Sequence, residues 1–493
     1  MSSVATPWEL PEGWDWAEFQ QVARVASNLV DPAAFQESPH IAPNHIESGT
    51  GNMLNYTTVA EDKVRSAKHR FLPGHILYSK IRPYLCKAVV VDFEGLCSAD
   101  MYPIESFINT NYLHRWMVSA AFTEMASNHD GRTLLPKINQ EALALLSVPV
   151  PPLAEQRRIV SAVERLLVPV TSARERLGRV PTTLKRFRQA ILAAACTGRL
   201  TAEWREANHA DAISGLPAYV PASGMDDVPE LPEYPEHWRV TSVGACSELV
   251  QYGTSEKADP TGVVPLLRMG NIQDGHIVLD DLKFVNEELP GLSSLLLKRG
   301  DMLFNRTNSP ELVGKSGVFE SEERATFASY LIRVRCKVGS VDSRLLCWWL
   351  NSPWGREWAA KVRTDGVSQS NINGTKLQQM PIGVPPLAEQ EEIMRRGTAL
   401  LALADAIEQK AASARRRVEL LTQTILAKAF RGELVPTEAE LARNEGRSYE
   451  AASELLAELQ ASANGDAKRP RSKKSPKRST ASGENLLEFT DGS

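Results

Sequence analysis

The feature that most constrains the fold of this chain is an internal repeat with a displacement of 234 residues. The hexapeptide PPLAEQ occurs at residues 151–156 and again at residues 385–390. At the same displacement, QAILAAACTGRL of residues 189–200 matches QTILAKAFRGEL of residues 423–434. The chain is therefore built from two copies of one plan, each a variable block followed by a conserved block.

The conserved blocks carry apolar residues at the 3.5-residue spacing of a coiled-coil seam. In the first copy, one seam position recurs every seventh residue over 159–187 and the other over 163–191; the second copy matches both over 393–425. Ordinary core helices would also be amphipathic, but they have no reason to keep equal length. We therefore predict a five-heptad helix of about 50 Å in each copy.

Two prolines set the first conserved block apart from the second. Pro169 and Pro181 lie inside the first heptad array and have no counterpart in the second. A proline removes one helical hydrogen bond and crowds the preceding turn. We therefore expect the first helix to kink or break into two segments, and the second to run straighter over about 387–429.

The variable blocks mix short strand patterns with helical patches. Ala88–Val91 and Tyr330–Val334 are typical of strands, whereas residues 112–125 and 344–361 are typical of helices. The predicted fold class is therefore α+β. The predicted boundaries are variable blocks at 1–152 and 234–386, helical blocks at 153–204 and 387–435, a linker at 205–233, a helical segment at 436–463 and a disordered basic tail at 464–493.

Composition places the chain among ordinary globular proteins. It has 493 residues, 56 Lys and Arg against 60 Asp and Glu, and no apolar run long enough for a membrane helix, so we expect a cytoplasmic protein. The six cysteines are scattered without a CxxC pair, which favours reduced thiols. Residues 468–478 contain seven Lys and Arg, and this tail either adds nonspecific DNA affinity or is simply solvated.

The motifs that resemble catalytic sites are incomplete. Ser309–Ser316 ends like a phosphate-binding loop but lacks its leading glycine, and Asn351–Trp354 lacks the second proline of the turn that adenine methyltransferases use. The histidines and cysteines have none of the spacings that bind zinc. We therefore predict no catalytic residue and no metal site in this chain.

The polar residues of both variable blocks suit contact with DNA. Arg and Lys bind phosphates and guanine edges, and Asn and Gln can pair with adenine. A solvated surface would explain any one such cluster, but clusters at corresponding points of both copies favour DNA. The candidate contacts are Lys80, Arg82, Tyr84, Lys87, Arg132, Lys137, Arg268, Asn271, Asn305, Arg306, Asn308, Lys315, Ser368, Gln369 and Asn371.

Taken together, these motifs closely resemble the DNA-specificity (S) subunit of type I restriction-modification enzymes. The resemblance covers nearly all of the chain to about residue 460. It is carried by the duplicated PPLAEQ blocks and by LPEGW at Leu10, TGRLTAEWRE at Thr197, LLRMGNIQDGHI at Leu266, RTNSPELVGKSGVF at Arg306 and SQSNIN at Ser368. The prolines of the first helix and the basic tail depart from the family pattern.

The resemblance implies a fold with two α+β target recognition domains, each reading one half of a bipartite asymmetric DNA sequence. The two conserved helices would form an antiparallel coiled coil with pseudo-two-fold symmetry that sets the gap between the half-sites. They would also dock two modification subunits, while restriction subunits complete the complex. The candidate docking and spacer residues are Gln156, Ile159, Leu166, Leu177, Gln390, Ile393, Leu400 and Ile407.

The resemblance further implies that this chain is not an enzyme. S-adenosylmethionine, ATP and Mg would be used by the partner subunits, and this chain would hold no cofactor. Two alternatives remain at this point. One is a single-chain DNA methyltransferase or nuclease; the other is a structural coiled-coil adaptor that does not read DNA sequence.

Overall fold

The computed structural model describes residues 7–128, 136–208, 213–221, 228–367 and 369–467. The chain divides into two compact units. The first unit combines residues 1–174 with 416–493, and the second comprises residues 175–415. The chain thus leaves the first unit and returns to it.

The first repeat contains the strands β1 (Asp15–Glu18), β2 (Ala23–Val25), β3 (Leu29–Val30), β4 (Pro39–Ile41), β5 (Thr57–Thr58), β6 (Lys68–Phe71), β7 (Ile76–Ser79), β8 (Ala88–Val90), β9 (Gly95–Cys97), β10 (Met101–Ser106) and β11 (Ser147–Val150). Its helices are α1 (Phe19–Val22), α2 (Thr110–Met117), α3 (Ala120–Asn128), α4 (Gln140–Ala144), α5 (Leu153–Cys196) and α6 (Ala202–Ala207). One sheet has the order β2-β10-β7-β8, and another has the order β3-β6-β9-β4-β5. β1 pairs antiparallel with β11, with Asp15 opposite Val150.

The second repeat contains the strands β12 (Arg239–Ser242), β13 (Ser247–Tyr252), β14 (Val264–Leu267), β15 (Ile272–Gln273), β16 (His276–Ile277), β17 (Lys283–Val285), β18 (Met302–Asn305), β19 (Thr307–Asn308), β20 (Ser316–Val318), β21 (Thr326–Phe327), β22 (Leu331–Cys336), β23 (Thr364–Asp365), β24 (Ser370–Asn371) and β25 (Pro381–Val384). Its helices are α7 (Val243–Cys246), α8 (Leu292–Leu295), α9 (Ser343–Asn351), α10 (Pro353–Val362), α11 (Gly374–Gln378) and α12 (Leu387–Phe430). Two further helices follow, α13 (Glu438–Glu445) and α14 (Ala452–Ala467).

The two repeats share one sheet topology. In the second repeat the large sheet begins β13-β22-β18-β20, which matches β2-β10-β7-β8 of the first. β12 pairs antiparallel with β25 as β1 does with β11. The predicted helical patches are confirmed as the helix pairs α2–α3 and α9–α10. The α+β fold class predicted from the sequence is therefore confirmed in both copies.

The long helix of the first repeat corrects one prediction. α5 is continuous from Leu153 to Cys196, although it contains both Pro169 and Pro181. The two prolines are exposed, so water can bond the carbonyl oxygens that they leave without a helical partner. The expected break is therefore absent, and α5 is as long as α12. The observed span of α12, Leu387–Phe430, confirms the predicted straight helix over about 387–429.

The two long helices α5 and α12 confirm the coiled-coil prediction, and their burial shows which of the two seam positions is covered. One seam position is buried, as at Val163, Val170, Leu184, Ile191, Ala404 and Ile425. The other is buried only at Ile159 and Ile393; further along, Leu166, Phe187, Ile407 and Leu421 are exposed. The heptad pattern therefore matches the two helices, but only one of its two apolar positions is buried along most of their length.

Each unit contains segments of both helices, packed side by side. In the second unit, Arg188 of α5 pairs with Asp405 at 2.7 Å and Glu408 at 2.6 Å on α12. Further along the chain, the carbonyl oxygen of Leu200 accepts a bond from Arg396. Residue numbers rise on one side as they fall on the other, so the helices run antiparallel.

The core of the first unit is built around aromatic side chains. Trp116 packs edge-on against Phe122 and against Phe430 from the end of α12. Ala452 and Leu456 of α14 are buried in the same cluster. The C-terminal segment is therefore an integral part of the first unit.

The core of the second unit joins the sheet, the helix pair α9–α10 and the start of α12. Trp349, Trp358 and Ile393 are buried together in one cluster, which also contains Trp238 and Cys196. All six cysteines of the chain are free thiols, as predicted. Among the described residues, no helix is both long and apolar enough to cross a membrane.

The end of α14 shortens the predicted tail. The helix reaches Ala467, so residues 464–467 are helical. The Lys- and Arg-rich residues 468–478 lie outside the described residues.

Candidate nucleic-acid interface

In the first unit, the chain that leaves β7 is fixed by a second segment. The carbonyl oxygen of Lys80 accepts a bond from the amide of Ile138 at 2.9 Å, and the amide of Arg82 donates to Pro136 at 2.7 Å. Ile81 forms an isolated antiparallel bridge with Lys137. These contacts bring Lys80, Arg82, Tyr84 and Lys137 together, and we call these four residues the first polar edge.

The two lysines of the first polar edge concentrate positive charge. Burial lowers the pKa of Lys80, and the neighbouring Lys137 lowers it further. The Lys80 ammonium lies 5.1 Å from the centre of the Tyr102 ring, at a distance that allows a cation–π interaction. The arrangement favours an anionic or electronegative ligand.

The loop that carries Tyr84 has a strained backbone. Arg82 and Cys86 both have φ of 50°, in the left-handed region that costs residues other than glycine about 1–3 kcal/mol. Cys86 Sγ lies 2.9 Å from Thr123 Oγ1 on α3, which holds the loop. Tyr84 lies in the turn between them with 53% of its surface exposed. The strained turn therefore exposes the ring of Tyr84 to solvent.

Two other candidates of the first unit do not join this edge. Lys87 donates a hydrogen bond to the carbonyl oxygen of Pro43 at 2.6 Å, so it fastens the loop to its own domain. We therefore remove Lys87 from the proposed contacts. Arg132 lies outside the described residues.

The second unit forms a similar edge after β18. β19 pairs antiparallel with β24, so Thr307 lies opposite Asn371 and Asn308 opposite Ser370. The carbonyl oxygen of Arg306 accepts from the amide of Ile372 at 2.9 Å, as that of Lys80 accepts from Ile138. We call Arg306, Asn308 and Gln369 the second polar edge; Ser368 lies outside the described residues.

Four predicted contacts of the second unit have internal roles or are buried. Arg268 pairs with Asp281, and buried Asn271 donates to the carbonyl oxygens of Val278 and Asp280, which closes the loop between them. Asn305 is fully buried at the end of β18. We therefore remove Arg268, Asn271 and Asn305 from the contacts that the sequence suggested.

Asn371 is the fourth of these residues. Its Oδ1 accepts a bond from Arg306 at 3.3 Å, and its Nδ2 donates to Thr307 Oγ1 at 2.8 Å. Both polar atoms of the side chain are thus used inside the protein. Asn371 supports the second polar edge instead of extending from it.

The remaining candidates of the second unit differ in their surroundings. Gln369 is exposed, and Asn308 is half-buried with its Oδ1 accepting from the amide of Ser309 at 2.8 Å. Lys315 lines a cleft of about 660 Å³ together with Lys185 and Arg188 of α5. The same cleft is also lined by Asp274, Glu311 and Glu408, so Lys315 lies among charges of both signs, in a different environment from Gln369.

Sequence reasoning missed two arginines that hold the loop after Asn308. Arg356 of α10 donates to the carbonyl oxygens of Val313 and Glu311, at 2.8 and 2.7 Å. Arg363 donates to Pro310 and to Asp365, and Asp365 also accepts from Ser370. Arg356 lies within α10 and Arg363 follows the end of that helix directly, so two arginines in and just after one predicted helix were the signal available.

The helix starts correct part of the docking prediction. Gln156 accepts from the amide of Asn109 and donates to Pro151, and Gln390 bonds Asp342 and Pro385 in the same way. Ile159 and Ile393 are buried in the two cores. These four residues tie each helix to its own domain, so we remove them from the docking surface. Leu166 and Ile407 are exposed, and Leu177 and Leu400 are half-buried.

The repeated PPLAEQ glutamate meets the repeated tryptophan in both units. Glu155 accepts from Trp14 Nε1 at 3.0 Å, and Glu389 accepts from Trp238 Nε1 at 2.9 Å. Both carboxylates are fully buried. The sequence shows both motifs twice, but not that they bind each other.

The two glutamates have different further partners. Glu155 also accepts from the backbone amide of Glu438, and burial raises its pKa. Burial would raise the pKa of Glu389 too, but hydrogen bonds from Thr201, His237, Arg205 and Trp238 lower it overall. Among the described residues, no group of three His, Cys, Asp or Glu could hold a metal ion.

Comparison with protein families identifies one domain type. Residues 11–174 match the family described as the type I restriction modification DNA specificity domain. These residues include the first polar edge and the start of α5.

Several characterised relatives are similar over different lengths. The EcoDI specificity subunit of Escherichia coli is 50% identical over 206 residues, which cover 42% of this chain and 46% of that relative. The specificity subunits StySPI of Salmonella potsdam and EcoKI of Escherichia coli K12 are each 28% identical, over 86% of this chain and 90% of theirs. The strongest identity thus covers about half of one relative, and the weaker matches cover most of both chains.

A solved structure shares the fold. It comes from a study of complex assembly and conformational transition of the type I R-M system. It superposes with a TM-score of 0.65 at 20% identity, over 87% of this chain and 100% of the other. At this identity the likeness concerns the fold alone.

Proposed function

Since this chain belongs to the family of type I restriction enzyme specificity subunits, we propose that it selects the DNA sequence on which such a complex acts. Each variable block reads one half of a bipartite, asymmetric target. The observation that carries this proposal is the recurrence of a polar edge at the same place in the sheet of both units.

The proposed DNA contacts are the residues of the two polar edges, with Lys315 beside them. Lys80 and Lys137 have the charge for phosphates or guanine, Tyr84 has an exposed ring, and Gln369 can pair with adenine. Arg132 and Ser368 stay in the proposal on sequence grounds. The retained set is Lys80, Arg82, Tyr84, Arg132, Lys137, Arg306, Asn308, Lys315, Ser368 and Gln369.

The exposed seam residues are the proposed docking surface. Leu166 and Ile407 retain apolar side chains in water, which is costly unless a partner covers them. Two modification subunits would bind there, one for each repeat, and restriction subunits would complete the assembly. Leu177 and Leu400 of the second unit, which are half-buried, would contribute a smaller apolar area in that unit.

We assign methyl transfer and DNA cleavage to the partner subunits. S-adenosylmethionine, ATP and Mg would bind there, and this chain would hold none of them. A protein with this role acts on DNA inside the cell, which supports a cytoplasmic location. In this proposal the chain contributes sequence choice and geometry.

A domain exchange tests whether recognition is modular. Replacing residues 10–150 by the block of a relative should change one half of the methylated sequence and leave the other half intact. Sequencing of methylated host DNA reports both halves at once. A simultaneous change of both halves would contradict two independent recognition modules.

Reconstitution separates this proposal from its alternatives. The chain alone, mixed with DNA and labelled S-adenosylmethionine, should transfer no methyl group until modification subunits are added. Transfer by the chain alone would establish a methyltransferase. A complex without any sequence preference would instead favour a structural adaptor.

Insertion of one heptad into each long helix tests the proposed spacing role. Seven residues add about 10 Å of helix and preserve the seam. The half-sites should stay the same while the gap between them lengthens. An active complex that kept the original gap would leave the helices with a docking role only.

A further inference from the structure

Arg306 has an unusually well-defined position in the second unit. It follows β18 directly, its amide donates to the carbonyl oxygen of Tyr330 at 3.0 Å, and its own carbonyl oxygen accepts from Ile372. The Cα of Arg306 is therefore held by two other segments of the chain.

The side chain of Arg306 is oriented as well. Its guanidinium carbon lies 4.8 Å from the centre of the Tyr252 ring, and one terminal nitrogen donates to Asn371 Oδ1. The Tyr252 hydroxyl accepts from the amide of Gly374 at 2.7 Å, which fixes the ring. A side chain at residue 374 would crowd this hydroxyl, because its Cβ would lie 3.0 Å away.

This orientation comes without neutralisation of the charge. Several other arginines of the second unit have carboxylate partners, as Arg335 has Asp301 and Arg363 has Asp365. Among the described residues, no carboxylate forms an ion pair with Arg306 within 4.0 Å. The guanidinium of Arg306 is therefore held in a defined position, and its positive charge can interact with a bound ligand.

We propose that Arg306 reads a guanine in the second half-site and that Tyr252 and Asn371 are its positioning residues. The inference rests on the function proposed above and deepens it. The planar guanidinium matches the O6 and N7 acceptors of guanine, and an arginine that is already ordered loses less conformational freedom when it forms that pair. A phosphate contact would weaken binding to all target sequences alike when it is lost, so the two kinds of contact can be distinguished by experiment.

The first test replaces Arg306 in the complete complex with its modification subunits. Binding is measured on the wild-type target and on a set of targets with single base-pair changes. Arg306→Gln should reduce discrimination at one G·C position of the second half-site by about 5- to 150-fold. Discrimination at all positions of the first half-site should stay unchanged, which also serves as the folding control.

Arg306→Lys separates base reading from phosphate binding and decides the matter if Arg306→Gln fails to assemble. The lysine keeps the charge and loses the two-pronged geometry. Selectivity at the same position should fall while overall affinity is largely kept. Equal weakening on all targets, or unchanged selectivity in either variant, would overturn the proposal.

Tyr252 provides the test of positioning. Tyr252→Phe keeps the ring and should retain selectivity at that position, whereas Tyr252→Leu should relax it there and nowhere else. Loss at every position in both variants would point to a merely structural tyrosine. If the wild-type complex itself showed no bipartite target, the proposed function would fail, which is a distinguishable result.

Discussion

The two units bury the same glutamate against the same tryptophan but neutralise it differently. Glu389 of the second unit bonds Arg205 and His237, which both precede it in the sequence. Glu155 of the first unit bonds a backbone amide, and the nearby charges of Arg158 and Glu438 pair with each other. The same glutamate–tryptophan motif therefore has different polar partners in the two units, because a different segment of the chain packs against each glutamate.

The segments that bond the two glutamates also differ in their sequence separation from the glutamate. In the second unit, Thr201 and Arg205 lie 188 and 184 residues before Glu389. In the first unit, Glu438 lies 283 residues after Glu155. The first unit therefore depends on the C-terminal part of the chain, which no local pattern reveals.

Ending the chain at Val435 should produce the largest effect. The first unit would lose the Glu438 amide, the Arg158 ion pair and the buried Leu456. We expect a loss of about 5 kcal/mol or more, since one large buried side chain alone contributes about 2–5 kcal/mol. Hydrogen exchange resolved by segment should show destabilisation of the first unit.

A chain that ends at Ala467 is the matched control for this truncation. It keeps α14 and should unfold like the full chain. If ending the chain at Val435 left the first unit as protected as before, the C-terminal segment would not be part of that unit.

Replacement of each buried glutamate by glutamine should show how the different partners of Glu155 and Glu389 affect stability. Glu389→Gln leaves Arg205 without its counter-charge and should cost the second unit about 3–5 kcal/mol. Glu155→Gln can still accept from Trp14 and Glu438, so we expect about 1–2 kcal/mol in the first unit. Urea unfolding measures both, with exposed Glu391→Gln as control. Equal losses would show that the ion pairs of Glu389 are unimportant.

The pH dependence of these two variants should have opposite signs. The pKa of Glu389 is lowered, so its contribution is present above about pH 4.3, the usual value for glutamate, and is lost as pH falls through the folded value. The pKa of Glu155 is raised, so its contribution is complete below about pH 4.3 and is lost as pH rises through the folded value.

The measurement compares free energies of unfolding from about pH 7 down to about pH 2, which covers the range in which each contribution is lost. The difference between wild type and Glu389→Gln should shrink on acidification, while Glu155→Gln should become relatively more harmful. Carboxylates that are remote from the replaced glutamate cancel in these differences. Slopes of the same sign would contradict the assignment of opposite pKa shifts.

The smallest effect concerns the loop that Arg363 holds in the second unit. Arg363→Ala removes bonds to Pro310 and Asp365 near the surface, so the free energy of unfolding should change by less than about 1 kcal/mol. Looser support should still lower selectivity for the second half-site, by about fivefold, or roughly 1 kcal/mol. DNA-binding assays on altered half-sites measure this, with Arg299→Ala as a surface control. A loss in the first half-site instead would contradict the role of the loop.

Much of the fold could be predicted from the sequence because helices and strands have a local periodicity of apolar residues. The 3.5-residue spacing gave the ends of α12 to within a residue, and the strand pattern gave β8 and β22. The repeat gave the shared topology. Proline was misjudged at positions 169 and 181, because the exposure of a helix face depends on what packs beside it.

The sequence by itself determined the two-copy plan and the span of α12, and its motifs predicted the family. Tertiary structure alone decided which polar residues have partners: among the described residues Arg306 forms no ion pair, whereas Arg268 is paired with Asp281 and Asn305 is buried. The physical reason is that a helix or strand period depends on neighbouring residues. The partner of a polar side chain, in contrast, comes from a distant segment, as Glu438 does for Glu155.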